Sequence, residues 1–369
     1  MIRYQQEYST SGSGLGCQIS AYILMMSLAA DTDFNWSISS KDFNLLRNTF
    51  SGLSLVVDDS EQEYNDLELD DEVGYAQIKD SVKDNSKLFV YPTPANIASE
   101  HTDSIVESLQ FRQDIVDKCR AFRDQFDGEV IAMHIRRGDF LELGSGMFVC
   151  GNDYYTAALD QLPDDIPVLI FTNDKDSVIA DNQLIASNPT RFTFITDLYN
   201  DNEFINCDVG QELDRLVDND GKHTQFNYMN GLTKMAHTEL KEFAMDTNGY
   251  TMDQLKTTIK ELSTQLHPTY RQKIKSKSYN ASYDLCLMSM CDYVIMANST
   301  FSLWGATLGN PKKVIYPMYW MQGHPEGGIA AIQTDLDEFN QTASLAGSFI
   351  TDKFVPLENP DPRSFEVVS

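Results

Sequence analysis

The chain has 369 residues, of which 42% are hydrophobic, and its 28 basic and 55 acidic residues give a formal net charge of −27. This length predicts about two domains. The acidic balance argues against a nucleic-acid-binding protein and against docking on anionic lipid, since both need a basic face. A small anionic ligand is still allowed, because charges farther than about 8 Å away are largely screened at physiological salt.

Cysteine usage and the N-terminal stretch indicate the compartment. The six cysteines are scattered without a CxxC pair or a zinc-like spacing, so we expect reduced thiols and no bound metal. The first residues carry no apolar signal region, and no stretch reaches about 18 uninterrupted apolar residues. We therefore expect a cytoplasmic protein without membrane insertion. The sequence does not indicate its oligomeric state.

The first candidate element is the glycine-rich stretch Ser11–Gln18, which contains Gly14, Gly16 and Cys17 and precedes an apolar helical run, Ile19–Ala30. Glycines let a backbone approach its neighbour closely, and a helix N-terminus favours anions. These residues are therefore a candidate anion-binding turn. A flexible turn that only packs against a sheet fits the same pattern.

From about residue 128, short apolar runs alternate with helical stretches, which predicts a parallel, doubly wound sheet. Residues 200–280, between the third and fourth strands, are polar and helix-prone, and we interpret them as a helical insertion. The predicted strands are Val130–Ile135, Val168–Phe171, Phe192–Ile195, Tyr293–Ala297 and Val314–Tyr316.

The segment His134–Asp139, with the sequence HIRRGD, follows the first of these strands, at the edge where open α/β sheets bind ligands. A buried strand does not end in two arginines without an anion or a carboxylate to receive them. Alternation places His134 and Arg136 on one face and Arg137 on the other. We therefore expect Arg136 to bind a diphosphate beside His134, and Arg137 to support the turn through Asp139. A buried core histidine is the alternative for His134.

Polar residues also flank the fourth strand. Asn298, Ser299 and Thr300 follow it and open a predicted helix, where they either cap that helix or cradle a phosphate with hydroxyls, backbone N–H groups and the positive helix end. Asp284 begins a short buried helix before the strand. It either caps that helix or accepts the N1–H and 2-amino hydrogens of guanine, a donor pair that adenine lacks.

With these motifs in order, the chain resembles the α1,2-fucosyltransferase family and, more distantly, the α1,6- and protein O-fucosyltransferases. The matching segments span residues 12–320 in family order. They are the glycine-rich loop Gly12–Gln18, the HxRRGD motif His134–Asp139, the segment Phe171–Asp174, the long D-x-x-L-M-S-x-C…N-S-T-F-S-x-W pattern over Asp284–Trp304, and the final segment Val314–Trp320.

This resemblance implies an α/β, GT-B-like fold in which two Rossmann-like domains face a cleft. We expect an acceptor-side domain at 1–127, a GDP-sugar-binding domain at 128–345 and a C-terminal tail at 346–369. The implied activity is metal-independent, inverting transfer of fucose from GDP-β-L-fucose, typically to the 2-hydroxyl of a β-galactoside. The implied partners are thus a GDP-sugar donor and an oligosaccharide acceptor, without a cofactor.

The family's roles carry over by position. Arg136 would hold the diphosphate, His134 and Asp284 would contact the guanosine, and Ser299 and Thr300 would bind phosphate. A general base for the acceptor hydroxyl has two candidates, Glu142 and Asp139. The ordinary interpretations are that Glu142 is a surface residue and that Asp139 is an arginine partner.

The chain also departs from the family. Cys17 stands where α1,2-enzymes usually have asparagine, and its Gly-Cys-Gln is closer to the α1,6 group. Leu303 and Thr307 replace tryptophans, and the family has no insertion like 200–280. The acceptor is therefore open. Two alternatives remain: a GDP-sugar transferase with another donor, such as GDP-mannose, and a non-catalytic nucleotide- or glycan-binding protein.

Overall fold

The computed structural model of the protein describes residues 2–4, 14–38, 43–56, 64–69, 74–89, 97, 99–141, 149–198, 280–318 and 353–358. The predicted helical insertion at 200–280 lies almost entirely outside these residues, and Glu142 and Ser11–Ser13 also lie outside them.

The described elements alternate between strands and helices along most of the chain, which confirms the α/β class. The strands are β1 (Ile2–Tyr4), β2 (Trp36–Ser37), β3 (Phe50–Ser51), β4 (Asn65–Glu68), β5 (Ser86–Phe89), β6 (Gln110–Phe111), β7 (Ile131–Ile135), β8 (Val168–Thr172), β9 (Phe192–Phe194), β10 (Tyr293–Ile295), β11 (Lys313–Pro317) and β12 (Phe354–Leu357). The α-helices are α1 (Leu15–Asp31), α2 (Asn44–Thr49), α3 (Tyr75–Ser81), α4 (Thr102–Ser108), α5 (Gln113–Arg123), α6 (Asn152–Leu159), α7 (Lys175–Asp181), α8 (Gln183–Ser187), α9 (Ala281–Ser289) and α10 (Thr300–Thr307).

The larger sheet has six strands in the order β12-β11-β10-β7-β8-β9, and every pairing in it is parallel. All five strands predicted from the apolar runs are present in it. Its interior strands β7 and β8 are buried over their whole length, as expected for a parallel sheet covered on both faces. The sixth strand, β12, comes from Phe354–Leu357, within the predicted C-terminal tail, and pairs with β11.

A second, smaller sheet is built from the N-terminal part of the chain. Its four strands follow the order β2-β1-β5-β4, and its pairings are also parallel. Two parallel sheets of the Rossmann type, each with crossover helices, agree with the predicted GT-B-like fold. The domain boundaries at 127/128 and 345/346 stay predictions.

The two faces of the larger sheet pack into different cores because successive side chains on a strand alternate. Ile131, Met133 and Ile135 of β7 pack with helix α6 and its neighbours. Ala132 lies on the opposite face, in a core that also contains residues of α1, α5, α9 and α10 and of the smaller sheet. Helices α9 and α10 are therefore packed between the larger sheet and the N-terminal part of the chain.

Helix α1 is buried along nearly its whole circumference, since it lies inside this shared core. Among the described residues, no helix is both long and apolar enough to cross a lipid bilayer.

Candidate functional site

The candidate site lies where the strand order of both sheets reverses. In the larger sheet the chain runs from β7 outward to β8 and β9, and then returns to the other side of β7 with β10. In the smaller sheet the reversal occurs at β1, between β2 and β5. Open parallel sheets bind ligands outside the carboxyl ends of their strands at such a switch point. The segments that leave these ends carry the three motifs singled out in the sequence.

Two helix N-termini meet at this place. Helix α1 begins after Gly14, and helix α10 begins after Ser299. A Cβ atom on Gly16 would lie 2.5 Å from the backbone nitrogen of Phe301 and 2.7 Å from the Thr300 hydroxyl, so only glycine fits. Cys17, which is partly buried, places its Sγ 3.6 Å from the Thr300 Oγ1. The first turns of both helices therefore present their N–H groups and positive dipole ends in one region.

A short chain of hydrogen bonds fixes the two helices in this contact. The indole nitrogen of Trp304 donates to the Ser20 hydroxyl at 2.9 Å, and that hydroxyl donates to the Gly16 carbonyl at 3.2 Å. Gln18 serves a different element, since its Oε1 accepts from the Leu46 backbone nitrogen at 2.9 Å. Gln18 thus satisfies a first-turn N–H of α2, a helix whose own N-cap residue makes no side-chain cap.

His134 lies on the face of β7 that points toward α10. Its ring centroid is 5.5 Å from that of Phe301, in the first turn of α10. The residue is only 5% exposed, and its Nδ1 has no hydrogen-bond partner among the described residues. Burial, with a smaller contribution from the charge of Arg136, lowers the pKa of His134 to about 3. The imidazole is therefore neutral at pH 7, and a buried polar atom without a partner is costly unless a ligand supplies one.

The two arginines of the motif have different surroundings. Arg136 is partly exposed, and its guanidinium carbon lies over the Phe140 ring, 5.1 Å from the centroid. Arg137 is 3% exposed, donates to the Cys150 carbonyl at 3.2 Å and approaches the carboxylate of Asp181 at 3.5 Å. The prediction that Arg137 supports the turn from the opposite face is confirmed. The contacts come from Cys150 and Asp181, whereas the side chain of the predicted partner Asp139 is not described.

The residues after β10 act in part as helix caps. The Ser299 hydroxyl accepts from the Phe301 backbone nitrogen at 3.3 Å, so it caps α10. Thr300 faces Cys17 across the helix contact. Asn298 is fully buried, and its Oδ1 accepts from the Cys150 thiol at 3.5 Å, which links it to the segment that also holds Arg137. Ser299 therefore caps α10, as the capping interpretation predicts.

Asp284 is 3% exposed in the first turn of α9, and burial raises its pKa well above the usual value. It is not the cap, because the Asn280 side chain accepts from the Tyr283 nitrogen. Helices α9 and α10 flank β10 and run in the same direction, and Met288 of α9 fills the space beside Gly305 of α10. One helical turn before these two residues lie Asp284 on α9 and Phe301 on α10. A guanine-binding role of Asp284 stays a prediction.

The structure thus places Gly14, Gly16, Cys17, Thr300, Arg136 and His134 around one sheet edge. Asp284 lies buried in the first turn of α9. Glu142 and the side chain of Asp139, the two base candidates, are not described. Phe140, Phe301 and Asn173 were missed by the sequence analysis. Phe140 directly follows the HIRRGD motif and Phe301 lies inside the NSTFS segment, so adjacency to the motifs was the available signal.

Two other polar features lie away from this edge. A surface groove of about 280 Å³ is lined by residues of α4, the C-terminal end of α10 and the start of β12, and holds none of the predicted site residues. Asp31, Glu100 and His101 group their ligand atoms near the C-terminal end of α1. Since a helix rises 1.5 Å per residue, this group is roughly 25 Å from Gly14.

No protein-family model matches the chain, and no curated protein matches it. Similarity to solved structures is low. A crystal structure of the fucosyltransferase NodZ from Bradyrhizobium matches with a TM-score of 0.42 and 12% sequence identity, over 85% of this chain and 94% of that one. The NodZ α1,6-fucosyltransferase co-crystallised with GDP matches with a TM-score of 0.40 and 12% identity, over 85% and 93% of the two chains. At this TM-score and identity, the likeness does not establish the activity of this chain.

Proposed function

We propose that the protein is an inverting glycosyltransferase that moves L-fucose from GDP-β-L-fucose to a glycan hydroxyl, with the 2-hydroxyl of a β-galactoside as the first acceptor to test. The observation that carries the proposal is the juxtaposition of His134 and Arg136 with the converging N-termini of α1 and α10 at the switch point. Positive charge and N–H donors in one partly buried place suit the diphosphate of a nucleotide sugar. The family resemblance of the motifs supplies GDP-fucose as the donor.

The chemistry requires stabilisation of a leaving group. As the bond between fucose and the β-phosphate breaks, negative charge grows on GDP, and Arg136 with the two helix ends stabilises it electrostatically. The sugar becomes oxocarbenium-like while an acceptor hydroxyl attacks from the opposite face. This arrangement supplies its positive charge from the chain, so we propose that the reaction needs neither a metal nor a cofactor. Asp139 and Glu142 are proposed as base candidates on their sequence positions alone.

Guanine selection is assigned to Asp284. Two N–H groups of guanine offered to a buried carboxyl would favour its ionised form, whereas adenine would face it with acceptors. We therefore expect GDP to bind more tightly than ADP, and Asp284→Asn to reduce that preference. Equal affinity of the wild type for GDP and ADP would remove Asp284 from the site.

A second linkage is supported by one residue. Cys17 within Gly-Cys-Gln is closer to the α1,6 group than to the α1,2 group, and its thiol lies beside Thr300 at the helix contact. An α1,6 transfer to a glycan 6-hydroxyl is therefore the second candidate. The nucleotide site is the same for both linkages, so only the product distinguishes them.

The test is a donor screen by calorimetry with GDP, GDP-fucose, GDP-mannose and ADP, followed by a glycan-acceptor array with linkage analysis of any product. We expect GDP and GDP-fucose to bind and a fucosylated glycan to form in excess chelator. Tight GDP binding without hydrolysis or transfer would favour a non-catalytic protein. Turnover that is abolished by chelator and restored by manganese would reject the metal-independent mechanism.

A further inference from the structure

We propose that Phe140 is a positioning residue for the phosphate-binding guanidinium of Arg136. The inference rests on the proposed function, because it assigns Arg136 a diphosphate. Its starting point is that the guanidinium carbon of Arg136 lies over the Phe140 ring, 5.1 Å from the centroid, while Phe140 itself is only 8% exposed. One side of this partly exposed arginine is therefore covered by an aromatic ring that is packed in place.

The backbone that carries both residues is fixed to the neighbouring strand. The Asn173 amide, just after β8, accepts from the Arg137 backbone nitrogen at 2.9 Å and donates to the Arg137 carbonyl at 2.9 Å. The Arg137 side chain also donates to the Arg136 carbonyl at 3.0 Å. Phe140 follows in the 3-10 turn Gly138–Leu141. The start of this turn, between the arginine and the ring, is thus held by the side chains of Asn173 and Arg137.

An aromatic ring has a specific advantage over a carboxylate for this task. It attracts the guanidinium through its quadrupole but offers no oxygen that would compete with a phosphate for the N–H donors. It also excludes water from one side of the cation, and a less hydrated arginine interacts more strongly with an anion. The ring therefore orients Arg136 without neutralising it, which lowers the ordering cost of binding a diphosphate.

The chain offers a matched control in a second cation–ring pair. The Lys175 ammonium lies 5.0 Å from the Phe194 ring centroid, and Phe194 is 7% exposed. That lysine pairs with Asp197 at 2.6 Å, on the side of the sheet where β9 forms the edge. The pair matches Arg136 and Phe140 in cation–ring distance and in burial of the ring, but its cation is already neutralised by Asp197 and is not a proposed phosphate ligand.

The experiment compares Phe140→Leu, Phe140→Tyr and Phe194→Leu for GDP affinity by calorimetry, donor turnover and melting temperature. Cation–ring contacts of this kind change affinity by about 3- to 30-fold. We expect Phe140→Leu to weaken GDP binding by that factor and Phe140→Tyr, which keeps the ring, to restore it. Phe194→Leu should lower the melting temperature by a similar amount as Phe140→Leu while leaving GDP affinity unchanged.

A double-mutant cycle separates positioning from general damage. If Phe140 acts through Arg136, Phe140→Leu should add little to the loss already caused by Arg136→Ala. Unchanged GDP affinity in Phe140→Leu, an equal loss in Phe140→Tyr, or additive losses in the double variant would each overturn the inference. Unchanged GDP affinity in Arg136→Ala would instead reject the proposed phosphate site itself, so the two failures are distinguishable.

Discussion

The two ends of helix α1 differ in how their polar groups are satisfied. At the C-terminal end, the Asp31 carboxylate accepts from the Tyr75 hydroxyl at 2.8 Å and contacts His101 at 2.9 Å and Lys79 at 3.2 Å. A carboxylate at the negative end of a helix is unfavourable, and the chain offsets it with its own side chains. At the N-terminal end, Gly16 packs against the backbone of Phe301, whose ring lies 5.5 Å from that of His134. The Nδ1 of His134 finds no partner among the described residues.

This contrast separates a structural polar cluster from a candidate binding site. The Asp31 cluster contains its own cations and donors, although its atoms are close enough to hold a metal ion. At the N-terminal end, the buried imidazole of His134 lies beside Arg136 and the first turn of α10, and the diphosphate of our proposal would bind there. If the two ends are independent, a substitution at one end of α1 should leave the properties of the other end unchanged.

Arg136→Ala should have the largest effect at the N-terminal end. Losing one preorganised donor to a growing charge costs about 2.7–4 kcal/mol, or roughly 100- to 1000-fold in turnover. Arg136→Lys keeps the positive charge but lacks the planar guanidinium, so it should retain only part of the turnover that Arg136→Ala loses. Arg137→Ala should lower the melting temperature more than the GDP affinity. If the Arg137→Ala variant is folded but inactive while Arg136→Ala stays active, Arg137 binds the phosphate and Arg136 supports the turn.

Gly16→Ala should disturb the contact between α1 and α10. Its Cβ would lie 2.5–2.7 Å from atoms of Thr300 and Phe301, so the helices must separate. Such overpacking costs about 1–3 kcal/mol of unfolding free energy, and GDP affinity should fall with it. Gly14→Ala is the control for stability, because nothing lies within 4 Å of its added Cβ and its φ of −59° suits alanine. Denaturant unfolding and calorimetry measure both; equal effects of the two variants would contradict the contact.

His134 should make the protein sensitive to mild acid. Its pKa is about 3 when folded, against about 6.5 when unfolded, so the unfolded chain binds the extra proton between these values. The free energy of unfolding therefore has its full value above pH 6.5 and decreases as the pH falls toward 3. The loss at pH 5 is about 2 kcal/mol. In His134→Gln, the difference in unfolding free energy between pH 7 and pH 5 should shrink by that amount. An unchanged pH dependence would mean that His134 is already protonated or hydrated in the fold.

Asp31→Asn should affect the other end of α1 and leave the site intact. Hydrogen bonding from His101, opposed by burial and aided by Tyr75 and Lys79, lowers the pKa of Asp31 to about 2. Its contribution is therefore present above pH 4 and is lost as the pH falls toward 2; we expect about 1–2 kcal/mol. The variant should lose this stability at pH 7 and bind GDP normally. A GDP affinity that falls with Asp31→Asn would show that the two ends are coupled.

The larger sheet could be predicted from sequence because its strands are short apolar runs buried on both faces. The runs at β7, β8, β9, β10 and β11 each correspond to a strand of the structure. The smaller sheet left no such signal, since β1 and β2 have only three and two residues. Strand β12 lies within the predicted C-terminal tail. It contains Pro356, which an edge strand tolerates and a central strand does not.

The site could be predicted where the argument was local. Strand alternation was enough to separate His134 and Arg136 from Arg137. The partners of these residues were not predictable, because they lie far away in sequence. Cys17 meets Thr300 across 283 positions, and Asn173 pairs with Arg137 across 36 positions. Nothing in the glycine-rich segment indicates that Gly16 is required by the backbone of α10 rather than by a ligand.

The contact between α1 and α10 also bears on how the chain is made. Helix α1 is complete once the ribosome has passed Asp31, but the residues that cover it, including Trp304, are synthesised near the other end of the chain. Contacts of such high sequence separation form late and leave apolar surface exposed in the meantime. During translation, the buried face of α1 therefore stays uncovered until Trp304 reaches Ser20. Formation of the contact between α1 and α10 is consequently a marker that two segments far apart in the chain have come together.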